Sequence, residues 1–262
     1  MLKKFVHLSV QTYFARHMKD LPVHHPSAPA LRRRIEEMSE RKLADFSSAL
    51  IPGAGRPVLG CRVPQLRRLA RELVCGDWRR LLDEELGDES HEEVLLHGFI
   101  IGYARMEAEE RLERIRAFVP LADNWALCDC CCASFDKVRK FREKAWPFVL
   151  ECARSKEEFR QRFGIVMMMD HFLTDEYADS VLAELAALKP AGYYATMGGA
   201  WALSVTFLKH TGPTLRVLRR NDTDTEMRRL ACRKILESRR TPPQLRFLIK
   251  ELRASLPKNT AS

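Results

Sequence analysis

The sequence predicts an all-α protein whose helix pairs stack side by side into a curved solenoid, an α-α superhelix. Glycine is sparse, 12 in 262 residues, and the Val/Ile/Thr alternation of half-buried strands is scarce, which argues against an all-β fold. From Leu31 onward, apolar residues recur at a helical period of about 3.6. Helix starts near His91, Asn124, Glu157, Tyr193 and Thr223 lie about 30 to 36 residues apart, the spacing of arrays in which each helix pair buries its apolar stripe against the next.

Taken in order, residues 1–30 form an appendage to this array. They are basic, poor in acid until Asp20, and their apolar run Phe5 to Val10 is short and interrupted by His7 and Ser9. Neither a signal peptide nor a spanning helix fits it. Pro22 to Pro29 reads as a flexible joint. The repeat domain then covers 31–256, with a tail at 257–262. Ser47 to Pro57 carries two prolines and two glycines and is expected to be a loop. Ser90-His91-Glu92-Glu93 offers an N-cap with an acid at the third helical position, ahead of Val94, Leu95, Phe99 and Ile100. Asp123 is expected to cap the helix carrying Asn124 to Phe135. In the Glu157 unit, Phe159, Phe163, Val166 and Met167 precede Tyr177, Val181, Leu185 and Leu188, and Met167-Met168-Met169 is packing filler. Gly198-Gly199 inside a helix points to close approach, of a neighbouring helix or of a ligand. Thr241-Pro242-Pro243 opens the last helix, with proline in the first turn, where a missing N–H costs little.

The net charge of +9 comes mostly from arginine spread in clusters along the chain. Spread clusters suggest a basic face on a folded body, where a block would suggest a disordered arm. Solvated helix faces are the plain alternative. Eight cysteines are present, but Cys128, Cys130, Cys131 and Cys132 sit too close together to pair comfortably. No second C-x-x-C with companion histidines appears, so a metal site is not expected and the thiols read as small core residues in a reduced, cytoplasmic protein. A cysteine-based redox or metal centre on Cys128 to Cys132 is the minor alternative.

One constellation carries chemistry. Trp125 and Asp129 are one helical turn apart and leave the same face. Arg162 lies in the first helix of the next unit and Trp201 in that of the unit after, and equivalent positions of successive helices stack side by side. The four can meet on one concave patch, where indole faces attract a cationic base. A carboxylate there favours the positive charge that develops on a sugar as its glycosidic bond breaks. Core tryptophans with a satisfied buried acid are the competing reading.

Gly60-Cys61-Arg62-Val63-Pro64-Gln65-Leu66-Arg67, Asn124-Trp125-Ala126-Leu127-Cys128-Asp129, Arg162-Phe163-Gly164-Ile165-Val166-Met167 and Ala200-Trp201-Ala202-Leu203-Ser204 resemble the bacterial DNA alkylation-repair family with HEAT-like repeats, the AlkD-like DNA glycosylases. The resemblance runs from about Leu43 to about Leu252. It implies stacked antiparallel helix pairs around a basic groove, and release of cationic 3- and 7-alkylpurines from duplex DNA without metal or cofactor. By it Asp129 matches the catalytic aspartate, Trp125 and Trp201 the aromatic residues of the lesion site, and Arg162 a DNA-contacting arginine. The expected partner is double-stranded DNA, alkylated or not, and the expected state a monomer, nucleoid-associated when bound to DNA. Two features depart from the active pattern. Ser204 stands where active members have a second arginine, and the Pro/Gly loop at 52–57 replaces a recognition helix, as in a branch with a shortened N-terminal region. A non-catalytic HEAT-like module binding nucleic acid or protein is therefore the alternative.

Overall fold

The computed structural model of the chain describes residues 27–257. The expected appendage up to residue 26 and the tail beyond 257 lie outside the described residues. Within them the fold is all-helical: α1 (Ala28–Glu37), α2 (Arg41–Leu50), α3 (Val63–Leu73), α4 (Trp78–Arg80), α5 (His91–Tyr103), α6 (Ala108–Phe118), α7 (Trp125–Cys132), α8 (Arg142–Ala153), α9 (Glu158–His171), α10 (Ala178–Ala187), α11 (Tyr193–Lys209), α12 (Thr211–Arg219), α13 (Thr225–Glu237) and α14 (Pro243–Ser255). A π-helical turn continues α4, and 3-10 turns at Val119–Leu121 and Asp136–Lys140 follow α6 and α7.

From α3 onward the odd-numbered helices form one layer, each packed on the next: α3 on α5, then α7, α9, α11 and α13. The even-numbered helices back them, with α8 against α9, α12 against α11 and α14 against α13. This is the predicted solenoid of helix pairs. The expected starts fall at or beside the observed ones. His91 and Tyr193 begin α5 and α11, Asn124 and Glu157 are the N-cap residues of α7 and α9, and Thr223 precedes the α13 cap, Asp224. Ser90 and Glu93 make the expected reciprocal capping box.

Three local expectations are corrected. Asn124, not Asp123, caps α7, because its side chain is the one that reaches the second and third helical N–H groups; Oδ1 accepts from Ala126 and Leu127 at 3.0 and 3.1 Å. The helix of α2 continues through Leu50, so only residues after it are loop; Pro52 restricts its immediate predecessor, not Ser47 to Leu50. The first repeat helix begins at Ala28, inside the expected appendage, since Pro29 sits in its first turn without loss of a hydrogen bond. The last helix opens as expected, with Pro243 in its first turn after Pro242, and the Thr241 hydroxyl donates to the Ile235 carbonyl at 2.6 Å.

One contiguous core runs the length of the described array. Met167, Met168 and Met169 are buried in it, as are Cys61, Cys128, Cys131, Cys132, Cys152 and Cys232. Gly199 lets α13 approach α11: a Cβ there would lie 2.3 Å from Met227 Sδ. Helix packing therefore accounts for that glycine. No helix among the described residues is long and apolar enough to cross a membrane.

Candidate functional site

The site begins with the cap of α7. Asn124 fixes the first turn, and Trp125 and Asp129 follow on one face of the helix. Asp129 is met by Arg162 from α9 in a two-pronged ion pair: Nε to Oδ1 at 2.9 Å and Nη2 to Oδ2 at 2.8 Å. The pair is largely shielded, with 8% of the Arg162 side chain and 18% of the Asp129 side chain exposed. The third nitrogen, Nη1, donates to the Tyr194 carbonyl at 2.7 Å, tying α9 to the start of α11. All three nitrogens of Arg162 are thus engaged within the protein. A Cβ on Gly198 would touch the Arg162 side chain at 3.5 Å, an ordinary contact, so this glycine is not demanded by crowding.

Trp125 is anchored as well. Its indole N–H donates to the Leu50 carbonyl at 2.9 Å, at the C-terminal end of α2. The intervening loop is held by two acids. Glu92 accepts from the backbone N–H groups of Leu59, Gly60 and Cys61 at 2.9, 2.7 and 3.2 Å. Gly60 adopts φ +87°, and a Cβ there would lie 2.4 Å from the Glu40 carbonyl, so this turn requires glycine. Arg56 ties the loop to α7 by a 2.7 Å bond to Asp123 and a 3.2 Å bond to the Leu121 carbonyl. Helix α2 itself buries none of its residues and leaves Phe46 and Leu50 exposed beside Trp125.

Trp201 lies one turn beyond Gly198 on α11, half-buried against the core. The structure joins two of the four expected residues directly and leaves Trp201 without a bond or ring contact to the other three among the described residues. Asp129 and Arg162 bond directly, Trp125 precedes Asp129 by a turn, and Trp201 follows the glycine that faces Arg162. No ring contact joins the two indoles among the described residues. Ser204 is buried, its hydroxyl donating to the Trp201 carbonyl at 2.8 Å.

Three further residues were not among the expected site residues, although Arg67 lies in the first of the motifs. Lys234, on α13, is half-buried; burial lowers its ammonium's pKa, and the charges of Arg162 and Asp129 both reach it. It has no hydrogen bond or ion pair among the described residues. Its spacing from Met227, two helical turns, is the signal that places it on the face turned toward α11. Asp170, at the end of α9, is pushed up to about 6 by burial and by the charge of Asp129. Arg67 bridges three helices, donating to the Tyr103 and Ser134 hydroxyls at 2.7 and 2.8 Å and to the Cys130 carbonyl at 3.0 Å. Its guanidinium also lies 4.4 Å from the Phe99 ring centroid.

Burial pushes the thiols of Cys128, Cys131 and Cys132 well up, which keeps them protonated and unreactive. No group of three or more His, Cys, Asp or Glu among the described residues is placed to hold a metal ion.

A family model described as "DNA alkylation repair enzyme" matches residues 31–189. None of the curated proteins and none of the solved structures compared with the chain matches it. The matched stretch contains Trp125, Asp129 and Arg162 and ends ahead of Trp201 and Lys234.

Proposed function

The chain belongs to the family of DNA alkylation repair enzymes, and from that premise we propose that it binds double-stranded DNA along the odd-numbered layer of HEAT-like repeats and releases cationic 3- and 7-alkylpurines as a monofunctional glycosylase. The observation that carries the reading is the orientation of Asp129: a partly exposed carboxylate held by two hydrogen bonds from Arg162, one turn from an anchored tryptophan. In the proposed reaction the bond between C1′ and the purine nitrogen breaks, and its electron pair neutralises the cationic base. Water adds to C1′ and loses a proton. The leaving group is already activated, so the protein's task is electrostatic and needs neither metal nor cofactor. Asp129 favours positive charge on the sugar, with the free lone pairs of its oxygens turned to substrate. Trp125 and Trp201 offer indole faces to the cationic base. Arg162 acts as a positioning residue, because its nitrogens are spent on Asp129 and Tyr194. Lys234 supplies the unpaired cation for a phosphodiester near the site, in the role expected of Arg162. The protein is proposed to act as a monomer in the cytoplasm.

The test is release of 3-methyladenine and 7-methylguanine from methylated duplex DNA. The wild type is expected to release both, and Asp129→Asn to be slower by about 100-fold or more. A second reading has its own support: Trp125 N–H and both Asp129 oxygens already have partners within the protein, as in a surface that binds without reacting. No release by folded wild type, with salt-dependent duplex binding retained, would establish that reading instead.

A further inference from the structure

A second charged feature lies outside the Asp129 region. A cavity of about 660 Å³ opens where the turn after α5 meets the 3-10 turn after α7, and Arg79, Arg105, Arg111, Lys137 and Lys140 line it with Glu107. Arg111 is 1% exposed, and its guanidinium donates to the carbonyls of Ile101, Gly102 and Ala104 at the end of α5. The Lys137 ammonium donates to the Tyr103 and Ala104 carbonyls at 2.6 and 2.9 Å. One oxygen, that of Ala104, therefore serves two cations, which must stand within about 6 Å of each other, close enough to repel appreciably.

Among the described residues no carboxylate bonds either cation, and Asp136 and Glu110 act on them only at longer range. The helix end supplies partial negative charge worth about half an electron, not two. Arg79 is taken by Glu110 in a paired 2.9 and 2.7 Å contact. Arg105 and Lys140 are exposed at the mouth and have no hydrogen bond or ion pair among the described residues. Burial and then the charges of Arg111, Lys140 and Arg105 make the Lys137 proton easier to lose, with Asp136 opposing them. Four cations without a carboxylate in hydrogen-bond contact thus face Glu107 and Asp136. Arg111 is buried, Lys137 is half-buried and both are bonded to backbone carbonyls, whereas Arg105 and Lys140 are exposed at the rim. Such a cavity gains most from a bound anion.

We infer that this cavity is a second anion site, and that its ligand is the sugar–phosphate backbone of the bound duplex, at a distance from Asp129. The inference rests on the DNA-binding reading above. Continuity of charge selects the backbone over a small ion. Lys137 also lines a neighbouring cavity with Arg67, Arg71, Ser134 and one acid, Asp136, and Arg67 bonds the carbonyl of Cys130, the residue after Asp129. A basic track therefore leads from the candidate site to the cavity.

The test compares wild type with the double variant Arg105→Gln/Lys140→Gln in salt titrations of binding to an unmodified duplex of about two helical turns. Removing two phosphate contacts should lower the slope of log Kobs against log salt by about 1.8, with melting temperature unchanged. The control Arg33→Gln/Lys250→Gln removes the same charge from helices away from the cavity and should leave the slope within error. An unchanged slope in the folded cavity variant overturns the inference, as does an equal drop in the control. If inorganic tripolyphosphate raises the melting temperature of wild type alone while the duplex slope is the same in both proteins, the ligand is a free polyphosphate and the backbone assignment fails. Wild type that shows no salt-dependent duplex binding overturns the DNA reading itself, a result distinct from all of these.

Discussion

The Asp129–Arg162 pair sits where neither full solvation nor full burial applies, and that position sets its energetics. With 8% and 18% of the two side chains exposed, water can do little for a partner left alone. Arg162→Ala is expected to cost about 2–4 kcal/mol in thermal or denaturant unfolding, as for breaking a buried pair from one side. Arg162→Lys keeps the charge but loses the planar fork, and should recover only part of that stability and of base release. Lys234 is the converse case, a half-buried ammonium with no bonded partner among the described residues. Lys234→Ala should leave the melting temperature unchanged or slightly raised while lowering the salt slope of duplex binding by about 0.9. An unchanged slope would remove Lys234 from the interface. In the sequence, helical spacing placed Asp129 under Trp125, and the repeat period placed Arg162 in the adjoining unit. It gave no sign that Arg162 is spent on Asp129, because pairing across 33 residues depends on how two helices are set side by side.

At the scale of elements, the two neighbouring glycines of α11 separate two kinds of constraint. Gly199→Ala forces Met227 and Leu188 to give way, with contacts of 2.3 and 3.1 Å to the new Cβ, and should cost about 1–3 kcal/mol. Gly198→Ala meets only ordinary contacts and removes a helix-interior glycine, so it should be neutral or stabilising by up to about 1 kcal/mol. Unfolding of the two variants in parallel checks both expectations. The capping box at Ser90 and the proline-opened helix ends were legible because they are set within a few residues of chain. The end of α2 was not, since Trp125, Asp123 and Glu92 hold the α2 end and the loop after it from farther along the sequence.

Over the whole molecule, buried titrating groups make stability depend on pH. Burial holds His97 and His171 down to about 4, below the ordinary value near 6.5, so the unfolded chain binds their protons more readily. Their contribution is present above about 6.5 and is lost as pH falls toward 4. Asp170, raised to about 6, acts in the opposite sense: its contribution is present below the ordinary carboxylate range and lost as pH rises through 6. Two histidines outweigh one carboxyl, so the melting temperature should rise from pH 4.5 to 7. Asp170→Asn should steepen that rise and raise stability at pH 7. A flat profile between these pH values would show that the histidines are not buried neutral.

The sequence by itself determined the all-α class, the helix pairs and their starts, the inward-facing thiols and methionines, and the placement of Trp125 and Asp129 on one helix with Arg162 on the next unit's. These follow from periodicity, caps and a repeat length, all of which are local or nearly so. Only the tertiary structure decided that Arg162 serves Asp129, that Lys234 has no bonded partner among the described residues, and that Arg111 and Lys137 share a carbonyl in the wall of a basic cavity. Each depends on the lateral register of helices far apart in the chain. That register is fixed by packing, where a glycine against a methionine or a carbonyl between two cations settles positions that no local pattern encodes.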